Sequence, residues 1–240
     1  MANFLAIEAA SDSCSVALSC NGTVISRVEA APRMHSRLLY PMLNAVMNEA
    51  GIRPNQLDAV IFGKGPGSFT GLRIAASTAQ GIGFACDIPL VGISTLQAMA
   101  QQAFEEQQHT SVISIMDARM NELYLGQYVL DEKTQLMAPQ MDDLICPINV
   151  QADTLPLTKG QYAACGHGLN LWEEFDESLQ SLITEQDAGQ ILKAASLMPL
   201  AISLYEQNEV LAPENIELVY LREQSHWKTI KQQKQDNNKR

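Results

Sequence analysis

The run Gly63-Lys64-Gly65-Pro66-Gly67-Ser68-Phe69-Thr70-Gly71-Leu72-Arg73 constrains this chain more than any other stretch. It separates an apolar stretch, residues 57–62, from a segment almost free of charge, residues 74–85. That order reads as a strand, a glycine-rich turn and a helix. Such a turn offers several backbone N–H groups at a helix N-terminus, a favourable place for an anion. Two nucleotide-binding patterns nevertheless fail on spacing. A Walker loop needs a glycine, four residues and then Gly-Lys-Ser/Thr, but Lys64 follows Gly63 and position 58 is an aspartate. The dinucleotide fingerprint G-x-G-x-x-G fails because Gly65 and Gly67 are followed by Gly71 rather than by a glycine at position 70. The plainer reading is a tight turn that lets a helix pack closely on a sheet.

Upstream, residues 4–9, 15–20 and 23–30 read as strands, with Asn21-Gly22 a strong two-residue hairpin signal between the last two. A helix follows: Ser36 is a plausible N-cap, Leu39, Leu43, Val46, Met47 and Ala50 recur at helical spacing, and Gly51 closes the pattern. Leu38 and Met42 broaden the stripe, and Pro41 should kink the helix or delay its start. With a strand at 89–93 the order becomes β-β-β-α-β-α-β, an antiparallel meander feeding a helix-covered parallel section. After a helical stretch, 95–107, the meander begins again at 111–116 and 122–130, and residues 135–137 open a short third strand. Residues 162–165 read as a strand and 194–206 as an amphipathic helix. The fold class expected is therefore α/β with two related lobes, residues 1–107 and 108–227.

The helix after the glycine turn is apolar nearly all round, and Arg73 is its only charge. Such a helix is buried on two sides, one against the sheet and the other against a second helix or a partner protein. Gly71, Ala75, Ala79 and Gly83 lie four apart and form a ridge of small side chains that permits close approach.

Hydrophobic residues make up 46% of the 240 and charged residues 18%, as expected of a globular chain with a substantial core. The N-terminus lacks a basic region before its apolar stretch, no transmembrane run is present, and the five cysteines contain no C-x-x-C pair. The expectation is a cytoplasmic protein with reduced thiols. Net charge is −11; a basic tail, residues 228–240, holds +4 of it and leaves −15 on the body. Such a body repels phosphate backbones, which argues against nucleic acid as the main direct ligand, and the tail is expected to be disordered.

The motifs of common catalysts are missing. His35, His109, His167 and His226 form neither H-x-x-x-H nor H-E-x-x-H, and no G-x-S-x-G elbow occurs. Glu8 and Asp117 each stand near the end of a predicted strand where a related meander begins. In a two-lobed ATPase such acids would hold Mg²⁺ through water. Ala9 and Ala10, however, follow Glu8 where hydroxyls would be wanted.

With these residues in view, the chain resembles the TsaB (YeaZ) family of the tRNA threonylcarbamoyladenosine pathway. The resemblance rests on Leu5-Ala6-Ile7, Cys14-Ser15-Val16-Ala17-Leu18, His35-Ser36 with Leu38-Leu39, and the run from Gly63 to Gly71, where the family usually has arginine at position 64. Val91-Gly92-Ile93-Ser94-Thr95-Leu96, Asp117-Ala118-Arg119 with Glu122 and Tyr124, and Tyr220-Leu221-Arg222 extend it over nearly the whole chain.

The resemblance implies a two-lobed actin-like ATPase (ribonuclease H-like) fold and a non-catalytic subunit. It also implies a TsaD-like catalytic paralogue as partner, bound through the first two helices, and a TsaE-like ATPase that joins the assembly. The complex would transfer threonylcarbamoyl from its adenylate to the adenosine beside the anticodon of tRNA, with tRNA not bound strongly by this chain. Partner binding is then expected at His35, Leu39, Met42, Leu43, Val46, Arg73, Ala75, Ala79 and Ile82, with self-association as a homodimer when the partner is missing. A vestigial phosphate loop would comprise Glu8, Ser11, Gly65, Gly67 and Ser68, since the family commonly has Asp-Thr-Ser where this chain has Glu8-Ala9-Ala10. ATP or ADP and a metal would belong to the complex, with no cofactor held by this subunit alone. The alternative is an independent small-molecule kinase or ATPase of the same superfamily; a peptidase lacks a metal cluster and a nucleophile–base pair.

Overall fold

The hydrophobic pattern resolves into two sheets that repeat one topology. The computed structural model describes residues 2–158 and 160–222. The tail 228–240 lies outside them. In the first lobe β1 (Phe4–Glu8), β2 (Ser13–Cys20) and β3 (Thr23–Ala30) form the antiparallel meander, and β4 (Ala59–Gly65) and β5 (Leu90–Ser94) extend it in parallel, in the order β3-β2-β1-β4-β5. In the second lobe β6 (Ser111–Arg119), β7 (Glu122–Asp131) and β8 (Leu136–Pro139) repeat the meander. There β10 (Tyr162–Cys165) and β11 (Ile183–Asp187) supply the parallel strands, and β9 (Leu144–Pro147) adds to β7. Asn21 and Gly22 both take positive φ, as the β2–β3 hairpin requires.

Alternation along the strands sorts the core into layers. Leu5 and Ile7 of β1 face one side, with Val60 and Phe62 of β4; here α1 (His35–Ala50) and α2 (Phe69–Cys86) cover the sheet. Phe4 and Ala6 face the other side, toward α3 (Thr95–Gln107), α5 (Met198–Glu206) and the Val112 and Met116 face of β6. Ile113 and Ile115 of β6 point into a third cluster on the far side of the second sheet, where the short α4 (Glu177–Gln180) packs. Because α3 is shared between the sheets, it buries even Gln101 and Gln102. Gln101 Oε1 accepts from Met137 N at 2.9 Å, and Gln102 donates to Ile191 O at 3.0 Å and accepts from Lys193 N at 2.8 Å.

The structure adds β9 and β11, which the sequence reading did not give, and differs from it elsewhere. α1 runs unbroken from His35 with Pro41 inside it on the exposed side, and its cap position is Met34 rather than Ser36, with His35 anchored by the Ser11 carbonyl. β4 continues into the glycine run as far as Gly65, and Ser68 caps α2 by accepting from Gly71 N at 3.3 Å. The boundary at 107/108 is crossed twice, since the chain after β11 returns to the first lobe. Ala194 N donates to Ser15 Oγ at 2.8 Å, Tyr205 packs edge-on against Phe4 at 5.0 Å, and Leu211 pairs with Leu90. No helix among the described residues is long and apolar enough to cross a membrane.

Candidate functional site

The glycine-rich turn and the β1–β2 loop are built against each other. Ser68 N donates to Ala10 O at 2.7 Å. A Cβ at Gly67 would stand 2.5 Å from the same carbonyl, and one at Gly71 would overlap Ala9 O. These glycines therefore make room for the chain's own backbone, and an amide that a phosphate would need is already bonded. Gly65, with φ +105, lies under Val219 O, and Val219 N donates to Lys64 O at 2.8 Å. The tight-turn reading accounts for the glycines at 67 and 71. Ser11 stands half-buried at the rim, and its carbonyl accepts from His35 Nε2 at 2.8 Å. The loop 9–11 thus fixes the first turns of both α1 and α2.

Glu8 lies beneath that loop and is 1% exposed. Its Oε1 accepts from Ala10 N at 2.5 Å, while Oε2 is buried with no hydrogen-bond partner among the described residues. Burial raises its pKa to about 7, against the lowering effect of the Ala10 and Ala9 amides. Cys14 beside it is pushed up to about 11 by burial and by the Glu8 charge, so it stays a thiol at neutral pH.

A cleft opens between the lobes above the same loop. One part of it, about 390 Å³, is lined by Ser11, Asp12, Ser68, Asp117, Arg119 and His167. Asp117 is held in an ion pair with Arg119 at 2.8 Å, and its N–H donates to His167 Nδ1 at 3.1 Å. That bond places the imidazole proton on Nε2, and burial lowers the pKa of His167, so the ring is a neutral donor facing the cleft. The sequence reading named Ser11, Ser68 and Asp117 but did not group them with Asp12, Arg119 and His167, because the six come from four separate segments. Among the described residues no group of three or more His, Cys, Asp or Glu side chains is placed to hold a metal ion.

The residues expected on a partner surface divide sharply. Leu39, Met42, Leu43 and Val46 of α1 and Ala75 and Ala79 of α2 are buried in the chain's own core against the first sheet. His35 is buried on the Ser11 carbonyl, and Ile82 is half-buried at the edge of the same cluster. Packing turns the side chains of His35, Leu39, Met42, Leu43, Val46, Ala75 and Ala79 into the chain's own interior rather than outward; of the set, Arg73 is exposed and Ile82 partly so. The ridge Gly71, Ala75, Ala79, Gly83 faces inward, and Gly83 abuts Leu90 and Pro213. Two positions on, roughly 200° around the helix, Arg73, Ser77, Gly81 and Ala85 form a second ridge that faces solvent. A Cβ at Gly81 would meet nothing within 4 Å. Tyr40 of α1 and Phe84 of α2 are 62% and 58% exposed on these outer faces.

Two lobes of repeated ribonuclease H-like topology, joined face to face around a cleft, define the actin-like ATPase class of fold. The family model described as TsaD, tRNA N6-adenosine threonylcarbamoyltransferase, matches residues 24–168. The tRNA threonylcarbamoyladenosine biosynthesis protein TsaB of Escherichia coli is 33% identical over 94% of this chain and 97% of its own length. The TsaB of Haemophilus influenzae is also 33% identical, over 94% and 96%. The solved structure of YeaZ from Pseudomonas aeruginosa superposes with a TM-score of 0.85 at 33% identity, over 92% of this chain and all of that one. The chain belongs to the TsaB (YeaZ) family.

Proposed function

We propose that this protein is a non-catalytic subunit in the biosynthesis of threonylcarbamoyladenosine in tRNA. It binds and activates a TsaD-like catalytic paralogue through the outer faces of α1 and α2. The observation that carries this reading is the pairing of a closed phosphate loop with an open helical face. The β1–β2 loop packs into the glycine turn and takes up the Ser68 amide, while Tyr40, Ser77, Gly81 and Phe84 stand uncovered on adjoining helices. A face with small residues at its centre and aromatic residues at its edges suits a closely packed helix from a partner. In the partner's absence a second copy of the chain covers it, and the working location is the cytoplasm.

A TsaE-like ATPase joins the pair, and the ATP or ADP and the metal of the reaction belong to the assembly. The family names of the relatives support the pathway, and the loop geometry argues against an independent kinase. Reconstitution tests the proposal. Purified TsaD-like and TsaE-like proteins, threonylcarbamoyl-adenylate and unmodified tRNA should yield modified adenosine only when this chain is added. Equal yield without it would overturn the reading, as would modification by this chain alone.

A further inference from the structure

The segment after α5 runs along the first lobe and ends on the second. Leu211 exchanges two backbone hydrogen bonds of 2.8 Å with Leu90 at the edge of β5. Pro213 O accepts from Gln80 Nε2 of α2 at 2.7 Å, and Ile216 and Leu218 pack on the cluster beneath α1 and α2. Val219 is fixed over the glycine turn by its bond to Lys64 O. Tyr220 then meets the start of α2. Its ring lies 5.5 Å from Phe69, its hydroxyl accepts from Arg73 Nε at 3.2 Å, and the Arg73 guanidinium stacks on Phe69 at 3.8 Å.

Two residues on, Arg222 crosses to the β6–β7 hairpin. It donates to Ala118 O at 3.1 Å and Arg119 O at 3.3 Å, and pairs with the Glu122 carboxylate. That hairpin needs holding. Arg119, Met120 and Asn121 take φ of +64°, +60° and +61° in succession, a conformation side chains with a Cβ avoid. Asp117 Oδ1 caps the tip from inside by accepting from Arg119 N at 2.7 Å, and Arg222 closes it from outside.

On one side the lobes are joined by the shared core around α3, which cannot part without exposing apolar surface. On the other side lies the cleft, with a cavity of about 350 Å³ walled by Phe69, Arg73, Tyr124, Tyr220 and Arg222. We infer that residues 211–222 are a strap, and that Arg222 latches the open side of the cleft so that the second lobe's hairpin and the first turn of α2 move as one unit. The strap therefore sets the position of the helix that carries the proposed partner face; that last consequence rests on the function proposed above.

Hydrogen exchange on the full chain tests the latch without any partner. In Arg222→Met, peptides covering 118–123 should exchange about tenfold faster, and those covering 67–72 should accelerate with them, while β3 peptides stay unchanged. Arg222→Lys keeps the charge opposite Glu122 but gives up the planar guanidinium and its Nη1 contact with Met120 Sδ, and should show the same pattern more weakly. Acceleration of 118–123 alone would reduce Arg222 to a local clamp and overturn the coupling; no acceleration in either segment would overturn the latch. A second arm measures binding to the TsaD-like protein, which Arg222→Met should weaken about tenfold. Failure of the unaltered chain to bind would count against the proposed function, while the exchange data would still decide the latch.

Discussion

The Glu8 carboxylate occupies the space that a side chain at Gly63 would fill, because a Cβ on Gly63 would overlap Glu8 Oε2. Glu8 ends β1 and Gly63 lies beside it in the adjacent parallel strand β4, so the acid's length and the glycine's bareness are complementary. Gly63→Ala forces the buried carboxyl to move within a closed site. Overpacking of this kind costs about 1–3 kcal/mol, and urea unfolding should show a loss of that size. The double variant Glu8→Asp, Gly63→Ala should recover part of it, since the shorter acid withdraws from the methyl group.

Glu8 also gives stability a pH dependence of definite sign. Its folded pKa is raised to about 7 by burial. Its favourable contribution is therefore complete below the ordinary carboxylate pKa, declines as pH rises from there, and is lost above about 7. A shift of that size corresponds to roughly 3 kcal/mol. Glu8→Gln cannot ionise, so its stability relative to the unaltered protein should improve from pH 5 to about pH 7 and level off above that. Chemical denaturation at several pH values measures the difference, in which the opposite contribution of His167 cancels. A difference independent of pH would contradict the assignment.

The inward ridge of α2 makes a contrasting pair of expectations. Ala79 has no exposed surface and packs on the first sheet, so Ala79→Leu should destabilise the isolated chain by about 1–3 kcal/mol. Ser68→Ala removes the cap on Gly71 N and should cost about 1 kcal/mol. Thermal melts check both. An Ala79→Leu protein with an unchanged melting temperature would mean that the ridge is not packed as described.

Much of the fold was legible because its signals are local. Asn21-Gly22 announces its hairpin, Gly51 takes the left-handed conformation expected of a helix stop, and the meander repeats with the same polarity in each half. The phase of α2 was not legible. Both ridges, Gly71-Ala75-Ala79-Gly83 and Arg73-Ser77-Gly81-Ala85, carry small residues, so in a helix apolar nearly all round only Arg73 and Ser77 mark the side turned away from the sheet. The start of α1 depends on His35 reaching Ser11 O, 24 residues away in sequence, and no propensity encodes that. The cleft and the strap were hidden for the same reason. His167 reaches Asp117 only because the segment after β10 packs on β6, and Arg222 joins them only at the end of the returning strap.

Gly81→Arg tests the central claim, that the outer face of α2 is the partner surface, most directly. The side chain projects into open space, and arginine favours a helix over glycine by somewhat under 1 kcal/mol, so the isolated protein should melt at the same temperature or slightly higher. Titrated against the TsaD-like protein in a calorimeter, the unaltered chain should bind and Gly81→Arg should give no measurable heat, with threonylcarbamoylation of tRNA lost in parallel. Unimpaired binding by a well-folded Gly81→Arg protein would show that the partner sits elsewhere.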